Sequence, residues 1–396
     1  MPTRERGLSI SLIILCLAFQ AIIHGAISLF LPLIREDLTL SFTQAGSLIA
    51  AATLAYALMQ IPAGYLGDRF GPKRLFFIGI LGTTTLLVAF GFVSQYWQAL
   101  TNEWVSGFFR ALLFAPGMAL ITAWFHPERR ATAMALHLTG IFGGAIILSI
   151  IGPLLVEISD WRFPFIIFGA IGVFASLAYL LFSKEAPGTR SEQKVNISDV
   201  TNLLRSRIMW LCGGIQYARL AVFAGVSSWL PTFLIDNWGL SLRVTGLVIA
   251  LRSALIGPSS IVGGYVSDRL KNPPLVIGFS FVILAITTAL LVVVNNISLV
   301  FVLIVVNSLF ANCYFGPVFA LPIEVLDSPA KSTTTGLGNF FATIGGFTFT
   351  YLLGALRDSS GSFDSGFYAI TGASVFGLIF TILVARARHN AIATTR

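Results

Sequence analysis

The chain has 396 residues, of which 56% are hydrophobic and only 11% are charged. Soluble globular domains are about 25% charged, so this composition excludes a chain that lies mostly in water. The formal net charge of +8 does not indicate a nucleic-acid partner, because the basic residues fall between apolar runs, where they would face anionic membrane lipid.

Apolar runs dominate the chain from its first residues to its last. A membrane-spanning helix needs about 20 mainly apolar residues, and charges and helix breakers separate twelve such runs. In chain order they cover residues 8–33, 44–65, 75–94, 98–124, 131–156, 164–183, 208–235, 243–266, 274–295, 298–322, 332–356 and 366–385. We therefore predict an all-α membrane protein with twelve transmembrane helices.

The longest polar stretch, residues 184–207, divides the twelve runs into six and six. This predicts an N-terminal six-helix bundle at 1–183, a cytoplasmic central loop at 184–207 and a C-terminal six-helix bundle at 208–396. With the N-terminus inside, the inner loops and tails carry eighteen Lys and Arg residues and the outer loops four. Positive charge accumulates on the cytoplasmic side, so both termini are expected to be cytoplasmic, in a plasma (inner) membrane.

An internal repeat relates the two halves. GYLGDRFG at 64–71 follows the second run and GYVSDRLK at 264–271 follows the eighth, an offset of 200 residues. Pro32 matches Pro231, and Ala45-Gly46 matches Thr245-Gly246. Parallel six-helix repeats are one known plan for transporters, with the substrate site near the membrane midplane between the repeats.

The segment from Gly64 to Arg74, GYLGDRFGPKR, resembles the signature that the major facilitator superfamily carries between its second and third helices. A degenerate copy, Gly264 to Arg269, lies between the eighth and ninth helices, where that family places it. The resemblance extends over the whole chain. It implies the two-bundle fold of that family, secondary transport without a cofactor or metal, and a monomer.

The resemblance also implies a cytoplasmic gate built from the two motif copies. Its residues are Gly64, Asp68, Arg69 and Gly71 in the first copy and Gly264, Asp268 and Arg269 in the second. A carboxylate at a helix end can accept hydrogen bonds from the free N–H groups that begin another helix. The family pattern pairs Asp68 with the start of the eleventh helix near Ser332, and Asp268 with the start of the fifth near Ala131. An ordinary turn with positive-inside charge is the alternative for Arg69.

Three arginines lie deep in the predicted helices: Arg110, Arg219 and Arg252. At 1.5 Å per residue each is roughly 13–18 Å from a helix end, near the middle of a hydrocarbon core about 30 Å thick. An arginine at that depth costs at least about 2.5 kcal/mol. Asp and Glu are missing from the middle of every predicted helix, and Glu103, Glu157 and Glu324 fall near helix ends.

This imbalance predicts an anionic substrate, because the guanidinium fork matches a carboxylate or similar oxyanion. Arg252 is the strongest candidate, since its place in the eighth helix resembles that of the anion-binding arginine in oxalate- and monocarboxylate-type family members. Arg110 matches an arginine found in many members whatever they carry. Arg219 is nearest the cytoplasmic end, where extension of the side chain to the interface is the alternative.

Neutral polar residues complete the predicted substrate site: His24, Gln20, Gln216, Asn307, Tyr314 and Asn339. Gln20 is the repeat counterpart of Arg219 at an offset of 199. An unperturbed histidine side chain titrates near neutrality, and His24 is therefore the candidate for carrying a coupling proton. For each of these residues a hydrogen bond between helices is the alternative.

The sequence thus favours a secondary active transporter of a small anionic solute, working by proton symport or anion exchange. A drug exporter or sugar carrier with a non-anionic substrate is the alternative. An enzyme is disfavoured, because the histidines lack ligand spacing and no GxxxxGK[ST] loop is present. Gly257-Pro258 and Phe315-Gly316-Pro317 predict breaks in the eighth and tenth helices.

Overall fold

The computed structural model describes residues 3–125, 130–184, 205–326 and 331–394. These residues contain twelve helical segments long and apolar enough to cross a membrane, which confirms the twelve predicted spans. Helices can cross lipid because every backbone N–H and C=O finds its partner inside the same segment. The protein is therefore an integral membrane protein built from helices.

Fourteen helices make up these twelve segments. Their bounds are α1 (Thr3–Asp37), α2 (Phe42–Phe70), α3 (Pro72–Phe90), α4 (Tyr96–Ala111), α5 (Phe114–Thr122), α6 (Arg130–Val156), α7 (Arg162–Phe182), α8 (Arg207–Trp238), α9 (Leu242–Leu270), α10 (Pro273–Val293), α11 (Ile297–Phe310), α12 (Phe315–Leu326), α13 (Lys331–Ser360) and α14 (Asp364–Thr394). The fourth span comprises α4 and α5, and the tenth comprises α11 and α12.

In each of the two-part spans, the second helix begins two residues before a proline. The break between α11 and α12 confirms the one predicted at Phe315-Gly316-Pro317, and Pro116 stands two residues after the start of α5, as Pro317 does in α12. The break predicted at Gly257-Pro258 is wrong, because α9 runs without interruption from Leu242 to Leu270. Proline removes one backbone hydrogen bond, and in α9 the flanking turns keep the helix continuous through that loss.

Contacts between residues divide the chain into two compact units. The first comprises the described parts of Met1–Gln193 together with Pro231–Ala250, and the second those of Lys194–Leu230 and Leu251–Arg396. In the first unit α1 packs along α6, α2 along α4 and α3 along α7. In the second, α10 packs along α14 and α11. This grouping differs from the sequence repeat, so the bundle boundaries 1–183 and 208–396 stay predictions.

Two ion pairs attach the segment Pro231–Ala250 to the rest of the first unit. Arg35, at the end of α1, lies 3.3 Å from the carboxylate of Asp236. Arg243, at the start of α9, donates to Glu157, just beyond α6. Both pairs are partly exposed, so each contributes at most about 1 kcal/mol to stability.

Glycines allow the closest approach between helices, and the repeat reproduces one such contact in each unit. A Cβ added at Gly144 of α6 would stand 2.0 Å from the carbonyl oxygen of Ala18 in α1. A Cβ added at Gly345 of α13 would stand 2.1 Å from the carbonyl oxygen of Tyr217 in α8. Side-chain atoms do not fit at these distances, so the backbones touch only because glycine is there.

Candidate functional site

Arg252 lies on α9 within the second unit and is only 4% exposed. Its two terminal nitrogens donate hydrogen bonds to Asn307 Oδ1 at 3.1 Å and to Ser227 Oγ at 3.2 Å. Asn307 in turn donates to Thr287 Oγ1 at 3.0 Å. Neutral acceptors on α8 and α11 therefore hold the guanidinium group, and Thr287 on α10 supports it through Asn307.

Arg219 lies on α8 and is 6% exposed. Its Nε donates to Gln216 Oε1, one helical turn earlier, at 2.8 Å. The guanidinium carbon lies 5.4 Å from the ring centroids of both Phe315 and Phe319 on α12. The alternative of a side chain extended to the membrane interface is thus wrong, since Arg219 is buried against aromatic faces that favour a cation.

Tyr314 lies in the break between α11 and α12 and is fully buried. Its ring packs against Phe281 with centroids 5.1 Å apart, and its hydroxyl is within electrostatic range of both Arg219 and Arg252. Among the residues that the structure describes, this hydroxyl has no hydrogen-bond partner. A buried polar group without a partner costs about 1–3 kcal/mol, so this hydroxyl is an uncompensated polar group inside the second unit.

The two buried arginines Arg219 and Arg252 have no acidic partner among the residues that the structure describes. Within the described ranges, no carboxylate lies within ion-pair distance of Arg219 or Arg252. Neutral acceptors and aromatic rings compensate buried charge only partly. The region around these two arginines and Tyr314 is therefore positively charged and rich in hydrogen-bond donors, which is the chemistry that binds an anion.

Arg110 on α4 is in a different situation. It is 8% exposed and pairs with Glu103, 4% exposed, at 2.9 Å, and it donates to Ser106 Oγ at 3.1 Å. The sequence-based view that the buried arginines lack a buried counter-ion is therefore wrong for Arg110. Glu103 lies two helical turns before Arg110, and helix side chains lean toward the N-terminus, so the long arginine reaches back to it.

The residues predicted on α1 are close to this ion pair. His24 is exposed and interacts electrostatically with Arg110, while the preceding carbonyl, of Ile23, accepts a hydrogen bond from Arg110 at 3.5 Å. Gln20, one turn earlier, has a buried Oε1 without a hydrogen-bond partner in the part of the chain that the structure describes. The first unit thus groups Gln20, His24 and Arg110.

The predicted site residues consequently form two groups. Gln216, Arg219, Arg252, Asn307 and Tyr314 belong to the second unit. Asn339, on α13 of the same unit, is half-buried, and its backbone carbonyl accepts from Thr343 at 2.8 Å. Whether these residues bind a solute stays a prediction.

The gate motif is described only in part. Arg69, Asp268 and Arg269 are exposed, and Gly264 is half-buried. Gly71 lies immediately before α3 and has a φ of +83°, a backbone conformation that glycine adopts easily. The side chain of Asp68, the environment of Gly64 and the side chains of the predicted partners Ser332 and Ala131 lie outside the described residues, so the latch stays a prediction. The neighbouring Lys73 donates to the carbonyl of Ser183 at 2.5 Å, which anchors the end of α7.

Sequence reasoning missed several side chains that contact the arginines. Phe223 and Ser227 lie four and eight residues after Arg219 on α8, and both contact Arg252. Residues at this spacing share one helix face, so a search along the face of Arg219 would have found them. Phe315 and Phe319, which contact Arg219, lie on another helix, and their apolar character gave no signal.

A cavity of about 370 Å³ lies elsewhere, in the first unit, between the ends of α1 and α6 and the start of α9. It is lined by Leu33, Pro153, Val156, Glu157, Ser241, Leu242 and Arg243. None of these residues is a buried arginine, and the Glu157–Arg243 pair already satisfies the charges at its edge. The cavity therefore does not coincide with the donor-rich region.

A family model described as "Major Facilitator Superfamily" matches residues 13–241 and 220–395. The chain is 26% identical over 387 residues to a hexuronate transporter of Bacillus subtilis, covering 92% of this chain and 90% of that protein. It is 22% identical to a D-galactonate transporter of Escherichia coli, covering 97% and 96%. The fold matches a crystal structure of a bacterial homologue of the human lysosomal transporter Spinster, in an inward-facing, unoccupied conformation. That match has a TM-score of 0.81 and 17% identity and covers 98% and 99% of the two chains.

Proposed function

Because the chain belongs to the Major Facilitator Superfamily, we propose that it is a secondary active transporter of a small anionic solute, an organic carboxylate or similar oxyanion. The observation that carries this proposal is the pair of buried arginines, Arg219 and Arg252, without a carboxylate partner in the described part of the chain. An anionic solute would supply the missing charge. Transport by alternating access is the working principle of this kind of fold.

The names of the relatives support the same chemistry. Hexuronates and D-galactonate, the solutes in the names of two relatives, are carboxylates of about sugar size. The donors available in the second unit, two guanidinium groups and a tyrosine hydroxyl, suit such a group. In a site shielded from water these charge-assisted hydrogen bonds are stronger than in solvent, so binding would offset the cost of burying the arginines.

Transport in proteoliposomes tests this function. We expect uptake or counterflow of labelled D-glucuronate, D-galactonate or nitrite, and none of glucose or a cationic dye. Arg219→Ala and Arg252→Ala should each reduce anion transport at least tenfold, because each removes one of the two buried positive charges that lack a carboxylate partner in the described residues. Arg243→Ala, which removes an exposed arginine in the first unit, is the matched control and should transport normally.

Two outcomes contradict the proposal. Counterflow driven only by neutral sugars or by dyes would instead identify a sugar carrier or drug exporter. Full anion transport by both alanine variants would remove the arginines from the mechanism. Detergent-solubilised variants should elute as single species in size-exclusion chromatography, so that a loss of transport is not mistaken for misfolding.

We also propose that His24 carries the coupling proton when transport is by proton symport. It lies on α1 within electrostatic range of Arg110, the partner of Glu103, so a proton there adds positive charge near that pair. His24→Gln is expected to abolish stimulation of uptake by an inward pH gradient while leaving anion counterflow intact, measured in the same proteoliposomes. Persistence of the gradient stimulation would exclude His24, and the absence of any stimulation in the unmodified protein would indicate anion exchange.

The remaining proposals concern location and assembly. The excess of Lys and Arg in one set of loops, eighteen to four, supports cytoplasmic termini in a plasma (inner) membrane. Membrane lipid and the transported anion are the proposed partners of a monomer, without a cofactor or nucleic acid. Transport rather than enzymatic conversion is the function that the relatives' names support.

A further inference from the structure

The two buried arginines, Arg219 and Arg252, differ in which of their guanidinium nitrogens donate hydrogen bonds. Arg252 donates from both terminal nitrogens, to Asn307 and to Ser227. Arg219 donates only from Nε, to Gln216. In the described part of the chain its two terminal nitrogens have no acceptor, and together they form the fork that binds a carboxylate through two parallel hydrogen bonds.

Two further donors of the second unit, on Tyr314 and Gln216, also lack acceptors among the described residues. The Tyr314 hydroxyl, within electrostatic range of Arg219, is fully buried and has no partner among the described residues. The amide nitrogen of Gln216 is likewise buried and unpartnered in the described ranges, while its oxygen is used by Arg219. A group of donors that lacks acceptors fits a ligand atom carrying lone pairs and negative charge.

The break in the tenth span brings these groups together. Because α11 ends at Phe310 and α12 begins at Phe315, Tyr314 lies in the break. The rings of Phe315 and Phe319, in the first turns of α12, contact Arg219. Both ring centroids lie 5.4 Å from the guanidinium carbon, and a carboxylate that pairs through two parallel hydrogen bonds binds in the guanidinium plane, along the edge carrying the terminal nitrogens. The same break thus orients Arg219 and supplies the neighbouring hydroxyl.

We propose that the carboxylate of the solute binds the terminal nitrogens of Arg219 together with the Tyr314 hydroxyl, and that Arg252 is a positioning residue. This inference rests on the proposed function. The sequence favoured Arg252 as the residue that binds the anion, whereas the hydrogen bonds favour Arg219. Arg252, fixed by Asn307 and Ser227, contributes positive charge near Tyr314 and links α8, α9 and α11, but its fork is already occupied.

Conservative variants separate the two roles. Arg219→Lys keeps the charge and loses the fork, so the Kd for D-glucuronate or D-galactonate, measured by calorimetry on the full chain in detergent, should rise at least tenfold. Tyr314→Phe removes only the hydroxyl, which has no partner to lose in the described protein, and should raise the Kd about tenfold without lowering the Tm. Arg252→Lys keeps a cation that can still donate to Asn307 and should change the Kd less than about threefold.

A kinetic readout distinguishes positioning from a purely structural role. Asn307→Ala frees one terminal nitrogen of Arg252 and should raise the KM for transport in proteoliposomes while the Tm falls only slightly. Asn307→Asp, which retains an acceptor for Arg252, should restore its orientation but add a negative charge that repels the anion. The KM of this variant should therefore exceed that of Asn307→Ala.

The results also separate this inference from the proposed function. If the unmodified protein binds neither D-glucuronate nor D-galactonate and transports no anion, both proposals fail. If it binds an anion but Arg219→Lys and Tyr314→Phe leave the Kd unchanged while Arg252→Lys raises it tenfold, the function stands and the assignment of Arg219 is overturned. A Kd raised equally by both lysine variants would also overturn the distinct positioning role of Arg252.

Discussion

Glu103→Ala is expected to lower the free energy of unfolding by about 3–5 kcal/mol, because removing one partner of a buried ion pair leaves the other charge uncompensated. Among the described residues, Arg110 would in this variant retain only Ser106 and the carbonyl of Ile23 as acceptors. Both members of the pair are less than a tenth exposed, so water cannot replace the lost carboxylate. The measurement is reversible denaturant unfolding of the purified protein in detergent micelles.

Glu157→Ala is the matched control for this experiment. Glu157 pairs with Arg243, but both side chains are more than half exposed, so its loss should cost at most about 1 kcal/mol. The double substitution Glu103→Leu with Arg110→Met should recover most of the stability lost by Glu103→Ala, because buried pairs can often be replaced by apolar residues of similar volume. Equal losses for the Glu103 and Glu157 variants would show that the buried pair is not the stabilising feature.

Gly144→Ala is expected to destabilise the first unit by about 1–3 kcal/mol, the usual cost of overpacking. The new methyl group would stand 2.0 Å from the carbonyl oxygen of Ala18, and since that atom belongs to the backbone, α1 and α6 must move apart. Gly345→Ala, its repeat counterpart, should cost a similar amount in the second unit. Because Gly345 faces Tyr217, two residues before Arg219 on α8, this variant should also weaken anion binding.

Gly143→Ala provides a control on the same helix, since no atom lies within 4 Å of a Cβ added there. Alanine is favoured over glycine in a helix by up to about 1 kcal/mol, so this variant should be neutral or slightly stabilised. Thermal unfolding in detergent would compare all three. If Gly144→Ala and Gly143→Ala have the same Tm, the close contact of α1 with α6 is not required for stability.

The number of membrane spans was predictable from the sequence, because the length and apolar composition of each run show whether it can cross a membrane. The positions at which single spans are interrupted were harder to predict. The sequence showed Gly257-Pro258 and Phe315-Gly316-Pro317 as similar helix breakers, yet only the second coincides with a break. Whether a proline bends or ends a helix depends on which neighbours can satisfy the freed backbone groups, and this is a property of packing.

The candidate site was predictable in its residue types and not in its pairing. Buried arginines, a tyrosine and asparagines could be chosen from the sequence, because polar residues are conspicuous in apolar helices. The hydrogen-bond partners of these residues could not be predicted from the sequence. Glu103 lies close to residue 98, where the predicted span begins. Only the structure shows that its carboxylate pairs with Arg110. The open fork of Arg219 depends likewise on where the tenth span is broken.

The first compact unit is not contiguous in sequence, since Pro231–Ala250 belongs to it while the residues on either side belong to the second. A single cut in the polar stretch 184–207 would therefore give an N-terminal fragment that lacks part of its own packing surface. The C-terminal fragment would carry that missing piece, fixed by the Arg35–Asp236 and Glu157–Arg243 pairs. Two such fragments, made together in one cell, have a built-in means of recognising each other without a covalent link.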